Sequence, residues 1–175
     1  MTCEFYVSYE SDYTTYNSNG GYIIGSHAPS SPYGRNGAWY VRTTNGWQLG
    51  YGTQTPTVNY ATNYNQVYHV KFSTLIGDAW LEIDGDRIIT NTTTQTITTT
   101  PVYVFAHQYD LEHGGGYCTI AKLYYGKIYD STNTLVREFI PCYRKADNVI
   151  GLYDKVNDVF YTNAGTGSFT KGNDV

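Results

Sequence analysis

The sequence predicts an all-β protein folded as two antiparallel sheets. Tyrosine and glycine are abundant, with 20 and 18 copies in 175 residues, and they favour strands and turns respectively. Short apolar segments alternate with turn segments rich in Gly, Asn, Asp, Ser and Pro. No segment repeats its apolar residues with the 3.6-residue period of a helix. We therefore expect about a dozen strands and almost no helix.

Each strand before residue 108 is predicted from a short apolar or alternating segment. The first strand alternates apolar and polar side chains, as a half-buried strand does. Asn45-Gly46 predicts a hairpin, because this dipeptide favours the tight turns that join antiparallel strands. Asp84-Gly85-Asp86 predicts a second hairpin. The predicted strands are residues 3–9, 21–26, 38–42, 47–51, 67–73, 79–84, 87–90 and 101–107.

Two further hairpins are predicted in the C-terminal third of the chain. Residues 120–129 and 135–140 are apolar segments joined by the polar turn Ser131-Thr-Asn-Thr134. Pro141 lacks a backbone N–H, so the second strand should stop there or lie at an edge. Residues 151–153 and 159–161 flank a polar segment and form the last hairpin. Two successive hairpins indicate an antiparallel all-β domain.

The C-terminal third also resembles a known family. AKLYYGKIYDSTNTLVREFIPC and the later GLYDKVNDVFYTNAGTGSF are similar to the C-terminal part of concanavalin A-like (laminin G-type) jelly-roll domains. The similarity is closest to the domains of phage tail and bacterial surface proteins, and it is specific over residues 121–169. WLEIDG, residues 80–85, resembles the family's central hairpin. The resemblance implies a jelly-roll sandwich of two antiparallel sheets whose relatives usually bind glycans, but it carries no set of binding residues.

Length and charge restrict the function classes. Residues 1–175 are expected to form one domain, either alone or as the C-terminal part of a longer protein. The net charge is −4 and the only basic cluster is Arg144-Lys145, so a nucleic-acid partner is not expected. No apolar segment reaches 18 residues, so no membrane insertion is expected. The three cysteines, Cys3, Cys118 and Cys142, are too few and too scattered for a disulfide framework, and buried thiols are expected.

One segment resembles a catalytic motif of glycoside hydrolases. Laminarinase-type enzymes on the same scaffold carry E-x-D-x-x-E on one strand, which sets two carboxylates at the separation of a retaining mechanism. This chain has Glu82-Ile-Asp84-Gly-Asp86-Arg87, with Arg87 in place of the second glutamate. Because Asp84-Gly85 also predicts a turn, we interpret the segment as a hairpin. No catalytic residues are predicted, and the chain is expected not to be an enzyme.

Metal sites are weakly supported by the sequence. The spacing of His107, His113 and Cys118 matches no standard zinc pattern. Laminin G-type relatives often hold calcium at the rim of the sandwich, and Asp110 and Glu112 could supply oxygen ligands. No cofactor is predicted, and calcium stays open as an alternative.

The aromatic content predicts a carbohydrate site in the loops. An aromatic ring offers a flat apolar surface to a sugar, while amide, carboxylate and imidazole groups bind its hydroxyls. The three longest loops, residues 27–37, 52–66 and 108–116, each combine tyrosine with such groups, and we expect them to line one pocket. The predicted ligand-binding residues are Tyr33, Arg35, Trp47, Tyr64, Asn65, His107, Tyr109 and Asp110.

The expected function is therefore non-catalytic attachment to a cell-surface glycan. The expected location is a virion tail or a cell surface, where the domain could be a homo-oligomer within a larger appendage. The alternative is a structural or assembly module that contacts protein and binds no sugar. A laminarinase-type glycoside hydrolase is the third hypothesis.

Overall fold

A computed structural model describes residues 1–9, 21–28, 34–41, 46–53, 55–94, 102–105, 121–164 and 168–172. Within these ranges all regular secondary structure is β, and no helix is long and apolar enough to cross a membrane. The strands are β1 (Thr2–Tyr9), β2 (Gly21–Ala28), β3 (Gly34–Val41), β4 (Gly46–Gly52), β5 (Thr57–Asn59), β6 (Tyr68–Leu75), β7 (Asp78–Ile83), β8 (Asp86–Asn91), β9 (Tyr103–Val104), β10 (Ala121–Tyr129), β11 (Leu135–Arg144), β12 (Val149–Asp154) and β13 (Val159–Tyr161).

The described strands form two antiparallel sheets. The larger sheet has eight strands in the order β13-β12-β11-β10-β1-β6-β7-β8, and the smaller has five in the order β5-β4-β3-β2-β9. Strands of the smaller sheet pack against β6, β7 and β8 of the larger one. The prediction of an all-β sandwich of two antiparallel sheets is confirmed.

Alternation along the strands builds the core between the sheets. In β1 the side chains of Cys3, Phe5 and Val7 are fully buried on the inner face, while Glu4 and Tyr6 lie on the outer face. Strands β6 and β7 repeat this pattern. Burying one such apolar side chain stabilises the fold by about 1.5–3 kcal/mol. The inner faces of β1, β6 and β7 therefore form one continuous core with the smaller sheet.

The hairpin predicted at residues 79–90 is confirmed. Strands β7 and β8 pair directly and are joined by Asp84 and Gly85, whose φ angles are 52° and 93°. Two positive φ angles are typical of the type I′ turn that closes a two-residue hairpin. Glu82 lies opposite Arg87, with 3.6 Å between a carboxylate oxygen and a guanidinium nitrogen. The segment that resembles the hydrolase motif is thus a hairpin with its glutamate in an ion pair.

Strand β11 runs through Pro141 instead of ending there. Its pairing with β10 ends at Phe139, opposite Gly126, whereas its pairing with β12 continues from Phe139 to Arg144. Pro141 therefore pairs with β12 alone, at a position where the β10 side of the ladder has ended. The alternative that Pro141 lies at an edge is confirmed. Because β10 does not pair with β11 at this position, no ladder hydrogen bond is lost for want of an N–H.

Strands β11, β12 and β13, here called the hairpin extension, continue the larger sheet beyond the two-sheet core. Their inner-face side chains are partly exposed: Tyr143 by 42%, Val159 by 39% and Tyr161 by 41%. Phe139 and Asp154 are buried: Phe139 is 7% exposed, and Asp154 is fully buried and accepts hydrogen bonds from the backbone N–H groups of Glu138 and Val156. This half of the sheet is therefore held together with less apolar burial than the covered half.

Close contacts explain why the hairpin extension has an aspartate at position 154 and a glycine at position 151. Asp154 also accepts from the Asn157 side chain at 2.8 Å and lies 3.3 Å from the Arg137 guanidinium. The ring of Phe160 lies over Gly151, where a Cβ would come within 2.7 Å of it and closer still to the Tyr161 carbonyl oxygen. Position 151 therefore requires glycine.

Two predicted loops are shorter than the sequence suggested. Strand β3 begins at Gly34 and pairs with β2 as far as Ala28, so residues 34–37 are strand and not loop. Strand β5 lies within predicted loop 52–66 and pairs with β4. Main-chain pairing forms both strands, and their polar side chains do not oppose it. These corrections change where the loops lie in the sandwich.

Candidate ligand-binding end of the sandwich

The exposed tyrosines of the described residues lie toward one end of the sandwich, here called the tyrosine end. They are Tyr64, Tyr124, Tyr143 and Tyr161, with exposed fractions of 36–48%. Tyr64 lies beside the end of β1, because the neighbouring Asn65 binds Tyr9. The other three lie in the first half of β10 and near the last residues of β11 and β13. Antiparallel pairing brings all of these strand segments to the end marked by Tyr9.

The connection between β5 and β6 is fixed to the sheets and presents polar side chains outward. The backbone N–H of Asn65 donates to the Tyr9 carbonyl oxygen at 2.7 Å, and that of Asn63 donates to the Tyr68 hydroxyl at 2.7 Å. Asn65 has a φ of 60°, a conformation that asparagine adopts more readily than most residues. The side chains of Asn63, Asn65 and Gln66 are exposed, as is Tyr64, and the Asn63 amide donates to the Gln66 amide oxygen at 3.1 Å. This arrangement offers hydrogen-bond donors and acceptors next to an aromatic surface.

Carboxylates lie next to this connection. Burial and then the nearby negative charges of Asp84 and Asp86 raise the pKa of Tyr60 above its usual value. Asp84 is held in place because its Oδ1 accepts a hydrogen bond from the backbone N–H of His69 at 2.8 Å. The Asp84 and Asp86 side chains are exposed. This part of the tyrosine end is acidic and can accept hydrogen bonds from hydroxyl groups.

The larger sheet opens between β10 and β11 at the same end. Among the described residues, the part of β10 before Gly126 pairs with β1 alone, and the part of β11 after Phe139 pairs with β12 alone. Tyr124, 48% exposed, and Tyr143, 42% exposed, lie on the two strands that separate. The Lys171 ammonium lies 5.1 Å from the centre of the Tyr143 ring, a cation–π contact. This side of the tyrosine end therefore combines aromatic surface with a cation.

Two predicted ligand residues, Tyr64 and Asn65, lie together at the tyrosine end. Trp47 is a correction, because its side chain is fully buried and cannot be a stacking surface for a sugar. Its ring packs edge-on against Tyr9 and Tyr68, and its Nε1–H donates to the Thr62 hydroxyl at 2.8 Å. Trp47 is a core residue that anchors the connection carrying Tyr64.

Arg35 lies at the opposite end. Its backbone pairs with Gly52, the last residue of β4, whereas Tyr64 lies beyond the first residue of β4. Six residues of strand separate these positions, or about 20 Å. The structure does not bring Arg35 together with Tyr64 and Asn65. The reason is β5, since one additional strand reverses the chain and moves residues 60–66 to the other end.

Four predicted ligand residues lie outside the described residues: Tyr33, His107, Tyr109 and Asp110. The described residues that flank them still show which end each segment joins. Ala28 and Gly34, on either side of Tyr33, pair with each other at the end opposite to Tyr64. Phe105 and Ala121, which flank the other three, lie at the tyrosine end, next to Ile23 and Tyr9 respectively.

Tyr124, Tyr143 and Tyr161 were not predicted as site residues. Tyr124 and Tyr161 belong to segments whose apolar content predicts a strand, and strand tyrosines are usually packed. Tyr143 lies beyond Ile140, the last residue of the predicted strand. Alternation assigns a side chain to a face, but it does not show whether a second sheet covers that face. The one sequence signal was Pro141, which predicted an edge two residues before Tyr143.

Within the described ranges, no group of three or more His, Cys, Asp and Glu side chains is placed to hold a metal ion. Asp110 and Glu112, the possible calcium ligands, lie outside those ranges, as do His107, His113 and Cys118. The hypotheses of a calcium or zinc site therefore stay untested.

Comparison with known proteins gives one similar solved structure. No protein-family model matches the chain. No curated protein matches it either. A structure of a Trypanosoma rangeli sialidase, in complex with 2-keto-3-deoxy-D-glycero-D-galacto-2,3-difluoro-nononic acid, matches 70% of this chain with a TM-score of 0.51 and 13% identity. The match spans 19% of the sialidase chain, and at this identity it supports the fold alone.

Proposed function

We propose that this chain is a non-catalytic carbohydrate-binding module that attaches to cell-surface glycan through the tyrosine end. The observation that carries the proposal is the placement of the exposed tyrosines Tyr64, Tyr124, Tyr143 and Tyr161 toward one end of a rigid sandwich. Exposed aromatic rings suit the C–H faces of sugars, and the amide and carboxylate groups beside Tyr64 suit their hydroxyls.

The centre of the proposed site is the connection between β5 and β6. Tyr64 supplies the stacking ring there, and Asn63, Asn65 and Gln66 supply amide groups. Because Asp84 and Asp86 make this region acidic, neutral sugars are favoured over acidic ones. His107, Tyr109 and Asp110 are proposed to contribute from the segment that joins Phe105 to Ala121, since both of these flanking residues lie at the tyrosine end.

The biological setting of the proposal rests on the family resemblance. Residues 121–169 are similar to concanavalin A-like (laminin G-type) domains of phage tail and bacterial surface proteins, and the two-sheet sandwich agrees with such a jelly roll. We therefore propose a phage tail or other surface appendage as the location and host-attachment glycan as the partner. A bound calcium ion is not required by this proposal.

Two other functions have less support. The exposed apolar side chains of the hairpin extension favour a structural or assembly module as the second candidate. Hydrolysis is the third, and it has little support at the one motif that suggested it, because Glu82 is paired with Arg87 and Asp84 lies in the hairpin turn. We expect no release of reducing sugar from β-glucans, galactans or mannans on prolonged incubation.

The experiment is a glycan array with this domain, followed by titration of the best ligand against substituted proteins. Loss of a stacking ring costs about 1–3 kcal/mol, so Tyr64→Ala or Tyr109→Ala should weaken binding about ten- to a hundredfold. Asp110→Ala tests the hydroxyl contacts. Ile76→Ala is the matched control, since Ile76 is an apolar residue 60% exposed at the opposite end.

The array and the titrations give separate outcomes. An array with no ligand contradicts carbohydrate binding and favours the assembly module. A ligand whose affinity is unchanged in all three variants, at unchanged melting temperature, places the site elsewhere on the domain. A ligand lost on Ile76→Ala but not on Tyr64→Ala contradicts the choice of end.

A further inference from the structure

Among the described strands, β13 (Val159–Tyr161) is an edge of the larger sheet. It pairs with β12 on one side, and none of the described strands pairs with its other side. Proteins usually protect such edges with Lys, Pro, inward charges or bulges. Strand β8, the other edge, begins with Asp86 and Arg87 and has a bulge in its pairing with β7. Strand β13 has neither, and its sequence Val-Phe-Tyr is wholly apolar or aromatic.

Both faces of this edge present apolar surface. Val159 and Tyr161 point to the inner face, where they are 39% and 41% exposed. Phe160 points to the outer face, lies over Gly151 and carries the Arg144 guanidinium 5.3 Å from its ring centre. A strand added beside β13 would thus gain main-chain hydrogen bonds together with apolar contacts on each face.

We propose that β13 pairs antiparallel with β13 of a second copy of this chain, about a two-fold axis through Phe160. In this register Val159 lies opposite Tyr161 of the second copy, and Tyr161 lies opposite its Val159. Pairs of an aromatic and a β-branched side chain are among the favourable cross-strand pairs. The contact is isologous, so it closes as a dimer and leaves no repeated edge.

Charge argues for a second copy as the occupant. Asp158 is the single charged side chain within residues 158–162, and two-fold pairing places it opposite the uncharged Thr162 of the other copy. The two Arg144 side chains approach on the outer face, but each is already paired with its own Asp147, with Nε 3.0 Å from Oδ1. The pairing therefore opposes no unneutralised like charges.

The test is the dimerisation equilibrium measured by analytical ultracentrifugation from micromolar to millimolar concentration. We expect a reversible dimer in the wild type. Val159→Lys and Tyr161→Lys should each weaken it at least about tenfold, the equivalent of 1.4 kcal/mol. Val156→Lys is the matched control, because Val156 is 44% exposed in the same hairpin but lies outside the strand. A monomeric wild type, an assembly larger than a dimer, or equal dimerisation in all variants overturns the proposal.

A second measurement tests the register. Under mild oxidation a mixture of Val159→Cys and Tyr161→Cys proteins should form a disulfide-linked heterodimer, because directly opposed residues have the closest Cβ atoms. Each variant alone should cross-link more slowly, and wild type reports the background from the native cysteines. Equal cross-linking in the single-variant samples overturns the register. Neither measurement depends on glycan binding, so their failure leaves the function proposed for Tyr64 untouched.

Discussion

The two halves of the larger sheet are stabilised in different ways. In β1, β6 and β7 the inner side chains, such as Phe5, Val70 and Leu81, are fully buried under the smaller sheet. In the hairpin extension the inner side chains Val159 and Tyr161 remain about 40% exposed. The first half depends on apolar burial between two layers. The second depends on a few local contacts within one layer.

This difference determines where individual residue types are required. A two-layer core accepts many combinations of apolar side chains, so its sequence carries a pattern and few fixed residues. The hairpin extension instead needs Asp154 as a shared acceptor and Gly151 beneath the Phe160 ring. Such contacts require individual residue types at fixed spacing. We therefore expect Asp154 and Gly151 to tolerate fewer substitutions than the apolar core positions.

The largest expected effect comes from Trp47→Ala in the covered half. Removing this fully buried ring leaves a cavity between Tyr9 and Tyr68 and removes the hydrogen bond that its Nε1–H donates to the Thr62 hydroxyl. Loss of a core tryptophan costs about 3–5 kcal/mol in the free energy of unfolding. Tyr161→Ala in the hairpin extension is the comparison and should cost much less. Denaturant titration measures both, and equal costs would contradict the contrast between the two halves.

The sequence predicted most of the strands because alternation reports burial directly. Residues 3–9 are an example, since the apolar partners of each alternating pair all lie in the core. It missed residues 34–37 of β3 and the whole of β5, where polar residues occur in strands formed by main-chain pairing. Missing β5 also moved the predicted site, because each strand in an antiparallel sandwich reverses the chain. Arg35 therefore lies at the opposite end from Tyr64 and Asn65, and not in one pocket with them as predicted.

Burial of aromatic residues was predicted less well than strand position. Trp47 and Tyr143 both lie near the ends of strands, yet one is fully buried and the other is 42% exposed. The difference is set by which strands of the larger sheet the smaller sheet reaches. The coverage of a strand by the smaller sheet depends on the topology of the whole domain and not on the segment itself. Local sequence patterns therefore do not predict it.

The second prediction concerns Asp154, the buried carboxylate of the hairpin extension. Burial alone would raise its pKa, but hydrogen bonds from Glu138, Asn157 and Val156 and the Arg137 charge outweigh burial and lower it. Asp154→Asn should cost about 1.5–3 kcal/mol, the usual value of hydrogen bonds to a charged group. This is less than the cost at Trp47.

The pH dependence of this contribution has a defined sign. Because the folded pKa lies below the unfolded one, the stabilisation is present above about pH 4, the ordinary aspartate pKa, and is lost as pH falls through the folded pKa. The stability difference between wild type and Asp154→Asn should therefore shrink on acidification. Asp78→Asn is the control, since that carboxylate is exposed at the first residue of β7. A difference that grows below pH 4 would contradict the assignment.

The third prediction uses a row of alternating charges that crosses the outer face and joins the two halves. Pairing places Glu138, Lys127, Glu4, Lys71, Glu82 and Arg87 directly opposite one another across six strands. Glu4→Lys would place a lysine between Lys127 and Lys71, so that three lysines lie opposite one another. It would also remove the Glu4 carboxylate, which lies 2.8 Å from the His69 Nε2. A cost of about 1 kcal/mol is expected, since partly exposed pairs are weak.

Salt separates this charge effect from packing. In 1 M salt the Debye length falls to about 3 Å, so the cost of Glu4→Lys should decrease. Glu4→Gln keeps the size of the side chain without adding a positive charge, so it should cost less at low salt and change less with added salt. Urea titrations at two salt concentrations measure both. A cost that salt does not change would assign the effect to side-chain packing.

The smallest effect is expected from thiol labelling, which compares one residue type in the two halves. Cys3 is fully buried in β1, and burial raises its pKa to about 12, so almost no thiolate forms in the folded protein. Cys142 is half-buried in β11. With maleimide at about pH 8, near the ordinary pKa of a thiol, Cys142 should be modified in the folded protein with little change in stability. Cys3 should be modified only at the rate of unfolding of the covered half.

Peptide mass spectrometry after timed labelling gives both modification rates, and added denaturant should accelerate the modification of Cys3 much more than that of Cys142. Equal rates in native buffer would show that the two halves open together, and that the smaller sheet does not protect β1 any better than β11.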